Sequence, residues 1–351
     1  MANLTGAQAP NPADIELFRT LAAEHLNAEG KPNITRIARL MNKPRRTISG
    51  WSIRYLAADD APRIEMPAFV VNGDDEEPID EILNRKEKLF ERKAKANADR
   101  QWFEIKVNET RPYGILLVGD PHLDDDGCNV PLIRKHLAYA SQDGVYAVNI
   151  GDSSNNWVGR LERLYAHQET SKHTGKRLVK WFMLESGASW LCWILGNHDV
   201  WGEGADFHLM LAEKKIPVID WRAQFTLKHP SGTECRIDAS HGRKGSSIWN
   251  NLHATLRSAK LGELADCYVT GHTHHFGLEH LEIAERRHAC WLVQLRGYKY
   301  MDSYALRNGF AESQLGSSVL MIVDPSPDAR TKVQCFEDVD LGMQVLGMLR
   351  Q

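Results

Sequence analysis

The sequence predicts an α/β fold preceded by a small all-α unit. Short, continuous apolar runs at residues 114–118, 145–150, 190–195 and 267–269 have the length and composition of strands buried on both faces. Each is soon followed by a glycine that directly precedes a polar, ligand-type residue: Gly119–Asp120, Gly151–Asp152, Gly196–Asn197 and Gly271–His272. Ahead of them, residues 13–56 carry apolar side chains at helical spacing.

In chain order, Ile15, Leu17, Phe18, Leu21 and Leu26 form the first helical face, with Pro12 before it and Gly30 after it. The next stretch resembles a helix-turn-helix. Ala38 is small enough for two helices to cross, Asn42 tolerates a left-handed turn, and Ile48 and Trp51 hold the second helix. Between Lys31 and Arg54 the charges are Lys31, Arg36, Arg39, Lys43, Arg45, Arg46 and Arg54, with no acid among them. A basic face of this kind suits phosphate contact, so DNA is the expected partner and Arg45, Arg46, Thr47, Ser49 and Ser52 the residues presented to it. The competing reading is a three-helix module used for packing or self-association.

Residues 58–80 turn acidic and carry Pro62, Pro67 and Pro78, as a linker does; residues 79–99 alternate charges, as a solvated helix does. The expected domains are therefore 1–57, a helix-turn-helix unit; 58–108, a linker and charged helix; and 109–351, the α/β domain. At the far end, residues 333–336 read as a strand. Leu341, Val345, Leu346 and Leu349 follow as a short amphipathic helix, which suits packing or a homodimer contact.

The bulk composition excludes several classes. An apolar content of 42% and 25% charged residues, with a net charge of -3, is ordinary for a soluble protein. No window approaches the roughly 18 apolar residues of a membrane span, and the first residues lack the basic and apolar regions of a secretion signal. The six cysteines are scattered without a CxxC pair, which reads as reduced thiols in a cytoplasmic protein.

The chemistry is concentrated where strands end. The motifs are Asp120-Pro121-His122, Gly151-Asp152, Gly196-Asn197-His198-Asp199, Ser240-His241-Gly242 and Gly271-His272-Thr273-His274. Imidazoles, carboxylates and an amide oxygen are the ligand types of divalent transition metals. One such motif is commonplace; five strand ends in succession need a common cause.

These five blocks together resemble the calcineurin-like metallophosphoesterases over about residues 112–325. The resemblance implies a four-layer αββα sandwich with two divalent ions at the strand ends, Mn²⁺ or alternatively Fe or Zn. By position, Asp120, His122 and His274 would hold one ion and Asn197, His241 and His272 the other, with Asp152 bridging. A bridging hydroxide would attack phosphorus in line, and His198 would act as general acid, flanked by Asp199 and oriented by Asn155.

The departures narrow the class. The second block continues as Ser153-Ser154-Asn155-Asn156, without the Asp and Arg of the family's phosphoprotein phosphatases, so a protein phosphatase is disfavoured. The pattern is closer to the phosphodiesterase and DNA-repair nuclease branches. Arg243 and Lys244 follow the fourth block and are expected to bind substrate phosphate. Basic residues interleaved with Trp157 and Tyr165 over residues 157–180 suit either a single-stranded nucleic acid groove or an amphipathic helix covering the sheet. The expected function is a two-metal phosphodiesterase or nuclease acting on DNA in a bacterial or phage setting. The alternatives are a hydrolase of small nucleotides and a DNA-binding regulator with an inactive phosphoesterase scaffold.

Overall fold

The computed structural model describes residues 10–56, 77–99, 101–202, 214–300 and 316–351. The chain divides into two compact units, Met1–Glu81 and Ile82–Gln351. The expected linker falls largely on residues 57–76, outside the described set.

The first unit packs three helices, α1 (Pro12–Glu24), α2 (Ile34–Leu40) and α3 (Arg45–Tyr55). Asn11 and Asn33 cap the first two, their side-chain oxygens accepting from the N–H groups of Ala13 and Arg36. Phe18, Ala22, Ile37, Ala38 and Ile48 make a small core, closed by Trp51 edge-on to Phe18 at 5.8 Å. Asn42 takes the left-handed turn between α2 and α3 at φ 50°. On α3, Arg45, Arg46 and Ser49 are exposed, whereas Thr47 and Ser52 are half-buried. The charged stretch forms α4 (Ile79–Asp99).

The second unit is an αββα sandwich, in agreement with the expected fold class. One sheet has the order β12-β11-β2-β3-β4-β5, from β2 (Tyr113–Val118), β3 (Val145–Asn149), β4 (Trp190–Leu195), β5 (Val218–Asp220), β11 (Ser318–Val323) and β12 (Val333–Phe336). The other has the order β1-β6-β7-β8-β10-β9, from β1 (Phe103–Lys106), β6 (Arg222–Lys228), β7 (Glu234–Ser240), β8 (Cys267–Thr270), β9 (Gly277–Ile283) and β10 (His288–Gln294). Strands β2, β3, β4 and β5 run parallel, as do β7, β8 and β10.

Three cores account for the four layers. Alternate residues of both sheets, among them Ile115, Leu117, Phe225 and Ile237, meet in the central core. The opposite face of the first sheet, with Leu116, Val118 and Trp193, packs on α5 (Val130–Ala140), on α6 (Lys172–Lys180) with its π turn Trp181–Glu185, and on α9 (Val339–Leu349). The outer face of the second sheet, with Tyr268 and Leu292, is covered by α8 (His253–Leu261). Strands buried on both faces must be apolar throughout, which is why β2 and β4 read as unbroken runs.

Trp190 and Trp193 are core residues, edge-on to each other at 4.8 Å and to Phe182 at 5.1 and 5.4 Å. Helix α6 buries Val179 against the sheet and turns Lys172, Lys176, Arg177 and Lys180 outward, the geometry of the amphipathic covering helix. No described helix is long and apolar enough to cross a membrane.

Candidate metal centre

The loops that follow β2, β3, β4, β7 and β8 converge, and two groups of ligand atoms form among them. Asp120, His122 and His274 each offer one atom, all within 4.8 Å of one another. Asp152, His241 and His272 do the same. Asn197, at the first position of the short helix α7 (Asn197–Val200), joins the second group, its Oδ1 3.1 Å from His241 Nε2.

The backbone is bent to make this possible. Asp120, His122, Asp152, His272 and His274 all have positive φ, between 41° and 71°. Asp and His tolerate this left-handed region better than most residues, but such strain persists only where the surroundings enforce it, and it concentrates at functional sites. The motif glycines have a matching steric reason. A Cβ at Gly196 would overlap the carboxylate of Asp152, and one at Gly271 that of Asp120.

The donor set fits divalent ions, and the hydrogen bonding within it shows why. His241 Nδ1 donates to the carbonyl of Ile150 at 2.9 Å, leaving Nε2 as the ligand nitrogen. That Nε2 faces Asp152 Oδ2 at 3.1 Å and Asn197 Oδ1 at 3.1 Å, an acceptor among acceptors. In the other group the Nε2 atoms of His122 and His274 face each other at 3.2 Å, with Asp120 Oδ1 3.6 Å from His274. His122 Nδ1 is buried without a hydrogen-bond partner. A hydrogen on one of the facing nitrogens, or a metal ion between the ligand atoms, turns repulsion into attraction.

The electrostatics carry the same message. Burial, with the Asp152 charge, pushes Asp120 up to about 8 against the opposing pull of His241. Burial alone would lower His241, but the Asp152 and Asp120 carboxylates outweigh it and raise the imidazole to about 9. His122 is driven well below its usual value by burial and by His274. Without a metal, the cluster holds protons at some positions and repels them at others.

His198 stands beside the second group, its Nε2 3.9 Å from Asp152 Oδ2. Its ring lies between Trp157 at 5.2 Å and Trp201 at 4.2 Å, with His122 at 5.1 Å. Nδ1 is bonded to Asn155, but through the main-chain carbonyl. The expected side-chain contact is not made: Asn155 Nδ2 donates to Asp125 Oδ2 at 2.8 Å instead. Asp199 holds the loops beside the site. Its carboxylate accepts from the main-chain N–H groups of Asp152, Ser153 and Gly196 at 2.7, 2.9 and 2.9 Å, tying the β3 and β4 loops together.

The expected phosphate ligand Arg243 is corrected. Its side chain is only 5% exposed and folds back under the sheet, where Nη2 donates to Asp238 Oδ1 at 3.0 Å and to the Asp238 carbonyl at 2.7 Å. Arg222 donates to both oxygens of the same carboxylate, to Oδ1 at 2.9 Å and to Oδ2 at 2.6 Å. Asp238 lies on the outer face of β7, and satisfying its buried charge takes the guanidinium away from the cluster. Lys244 is exposed.

Two residues near the site escaped sequence reasoning. Lys299 is buried and paired with Asp125 at 2.9 Å, the same carboxylate that holds Asn155. Trp221 has φ 61° and sets its ring edge-on to His241 and His272 at 5.2 and 5.9 Å. Neither sits in a metal-type motif, so no local signal marks it.

No family model and no curated protein matches the chain. Solved structures do. A predicted phosphoesterase from Streptococcus pneumoniae TIGR4 is 13% identical over 65% of this chain and 99% of its own, with a TM-score of 0.33. The calcineurin-like phosphoesterase YfkN from Bacillus subtilis is 12% identical over 69% and 100%, with a TM-score of 0.31. A metallophosphoesterase from Sphaerobacter thermophilus is 11% identical over 68% and 98%, with a TM-score of 0.29. Likeness at this level carries no chemistry; the side chains described above do.

Proposed function

We propose that the chain is a two-metal phosphoester hydrolase that cleaves phosphodiesters in DNA. The observation that carries the reading is the pairing of the two ligand groups, Asp120–His122–His274 and Asp152–Asn197–His241–His272, beside one imidazole, His198, that belongs to neither. Divalent ions bound there supply an activated water and neutralise phosphoryl oxygens. Asp152 is the carboxylate that would serve both ions. His241 offers Nε2 because its Nδ1–H is held by Ile150. His198, fixed by the Asn155 carbonyl and two indole rings, presents Nε2 for proton delivery to the leaving oxygen. Asp199 and Gly196 keep the two loops in register.

DNA as substrate is supported by the three-helix unit, whose α3 exposes Arg45, Arg46 and Ser49 and carries no acid. In this reading that unit holds duplex phosphates and the αββα unit cuts. The test is hydrolysis with Mn²⁺ of single- and double-stranded DNA, bis-p-nitrophenyl phosphate and p-nitrophenyl phosphate, with Asp152→Ala as control. Metal-dependent DNA cutting lost in the control is expected. Turnover of small esters with DNA left intact would replace DNA by a small nucleotide, and silence on the whole panel would leave a scaffold.

A further inference from the structure

The loop between His241 and α8 combines exposure, charge and position in a way the metal centre does not use. Ile248 and Trp249 at its tip are 88% and 90% exposed. Apolar side chains of that size are rarely left fully in water without a partner to cover them.

Both feet of the loop stand on ligand-bearing strand ends. At the first, Gly242 follows His241, packs on the His272 ring, and accepts from Trp221 Nε1 at 3.0 Å. At the second, Asn251 Nδ2 donates to the Phe276 carbonyl at 2.8 Å, two residues beyond His274. Leu252 is buried against Gly277 beside it. The tip is thus carried by a base anchored beside both ligand groups, at His241 and near His274.

The charge is one-sided. From Ser240 to Gly262 the charged residues are Arg243, Lys244, Arg257 and Lys260, with no acid. Arg243 is taken by Asp238. Lys244, Arg257 and Lys260 are exposed, and with His253 the last two fall at i, i+4 and i+7, one side of α8.

We propose that this loop and the exposed side of α8 form a track for single-stranded DNA leading to the metal centre, with an unpaired base stacked on Trp249. The inference rests on the phosphodiesterase reading above. A flat aromatic ring with flanking cations is what a strand with accessible bases and a charged backbone recognises; bases stack on the ring in any sequence, and the cations follow the phosphates. The exposed cations Lys244, Arg257 and Lys260 suit a polyanionic strand, and a duplex would hide the bases from the indole.

The test is binding of a fluorescent oligothymidylate to the full-length chain in EDTA, followed by cutting with Mn²⁺. Trp249→Ala is expected to weaken binding about tenfold or more, and Trp249→Phe to retain most of it. Arg257→Ala with Lys260→Ala is expected to lower the slope of log affinity against log salt by about 1.4. Melting temperature and metal stoichiometry serve as the fold controls. Oligothymidylate affinity unchanged in Trp249→Ala overturns the proposal. So does a dimer that falls to monomer with affinity intact, which would assign the loop to a second copy. If the unsubstituted chain hydrolyses bis-p-nitrophenyl phosphate but neither binds nor cuts oligothymidylate, the DNA reading fails and the track with it. If it cuts, and Trp249→Ala cuts with the same KM, the track alone fails.

Discussion

Strand β7 ends between two clusters of buried charge that are balanced in opposite ways. Asp238, on its outer face, sits between Arg222 at 2.6 Å and Arg243 at 3.0 Å, so the chain supplies the countercharge itself. Three residues on, His241 faces Asp152 and Asn197, acceptor against acceptor, beside a second group of the same kind. A closed cluster contributes to the fold and asks nothing of solution. An open one is balanced by protons or metal ions that it takes from solution. Burial is similar in both, so the difference lies in which side chains the strand end recruits.

The largest expected effects lie at the open cluster. Asp152→Ala is expected to abolish turnover and metal uptake together, read by metal analysis beside activity; a full metal complement in the variant would remove Asp152 from the ligand set. Next comes His198→Ala, for which the expectation is retained metal and turnover slowed about 10²–10⁴-fold on esters with poor leaving groups. Normal rates with such an ester would end its role as acid.

At the closed cluster the expected loss is one of stability. Asp238→Ala leaves Arg243 buried without its partner, a change that typically costs about 3–5 kcal/mol, read by denaturant unfolding. Burial by itself raises the Asp238 carboxyl, but Arg222 and Arg243 outweigh it and hold it below its ordinary value. Its contribution is therefore present above the ordinary carboxylate range and lost as pH falls through the depressed value. An Asp238→Ala chain as stable as the unsubstituted one at neutral pH would show the pair to be no more than neutral.

The smallest expected effect lies in the three-helix unit. Arg45→Ala with Arg46→Ala should lower the salt slope of duplex binding by about 1.8, the release of two counterions' worth of contact. An unchanged slope would separate α3 from DNA. Asn155→Ala sharpens the account of His198: because the contact is made by the main-chain carbonyl, the variant should slow turnover far less than His198→Ala does.

The strand-end motifs were legible because ligand residues adjacent to a buried strand are held there by the strand itself. The family resemblance named Asp120, His122, Asp152, Asn197, His241, His272 and His274, and the fold brings them together by ending the five motif-bearing strands at one edge. The α/β class was legible for a related reason, since strands buried on both faces must be apolar throughout; the αββα layering came only with the family resemblance of the five motifs. Asn42, in the left-handed turn between α2 and α3, was likewise fixed by local conformational tolerance.

What the tertiary structure alone decided is where the flexible or multivalent groups point. Arg243 follows a ligand histidine in sequence, yet its long side chain reaches back to a carboxylate whose burial no local pattern records. Asn155 meets His198 with its backbone and Asp125 with its amide, a division that depends on the path of a loop. Lys299 joins the same network from the far side of the chain. Sequence by itself determines chemistry that is anchored to regular elements, because neighbours along a strand stay neighbours in space. Partners that do not share a regular element are chosen by packing, and only the folded chain shows which were chosen.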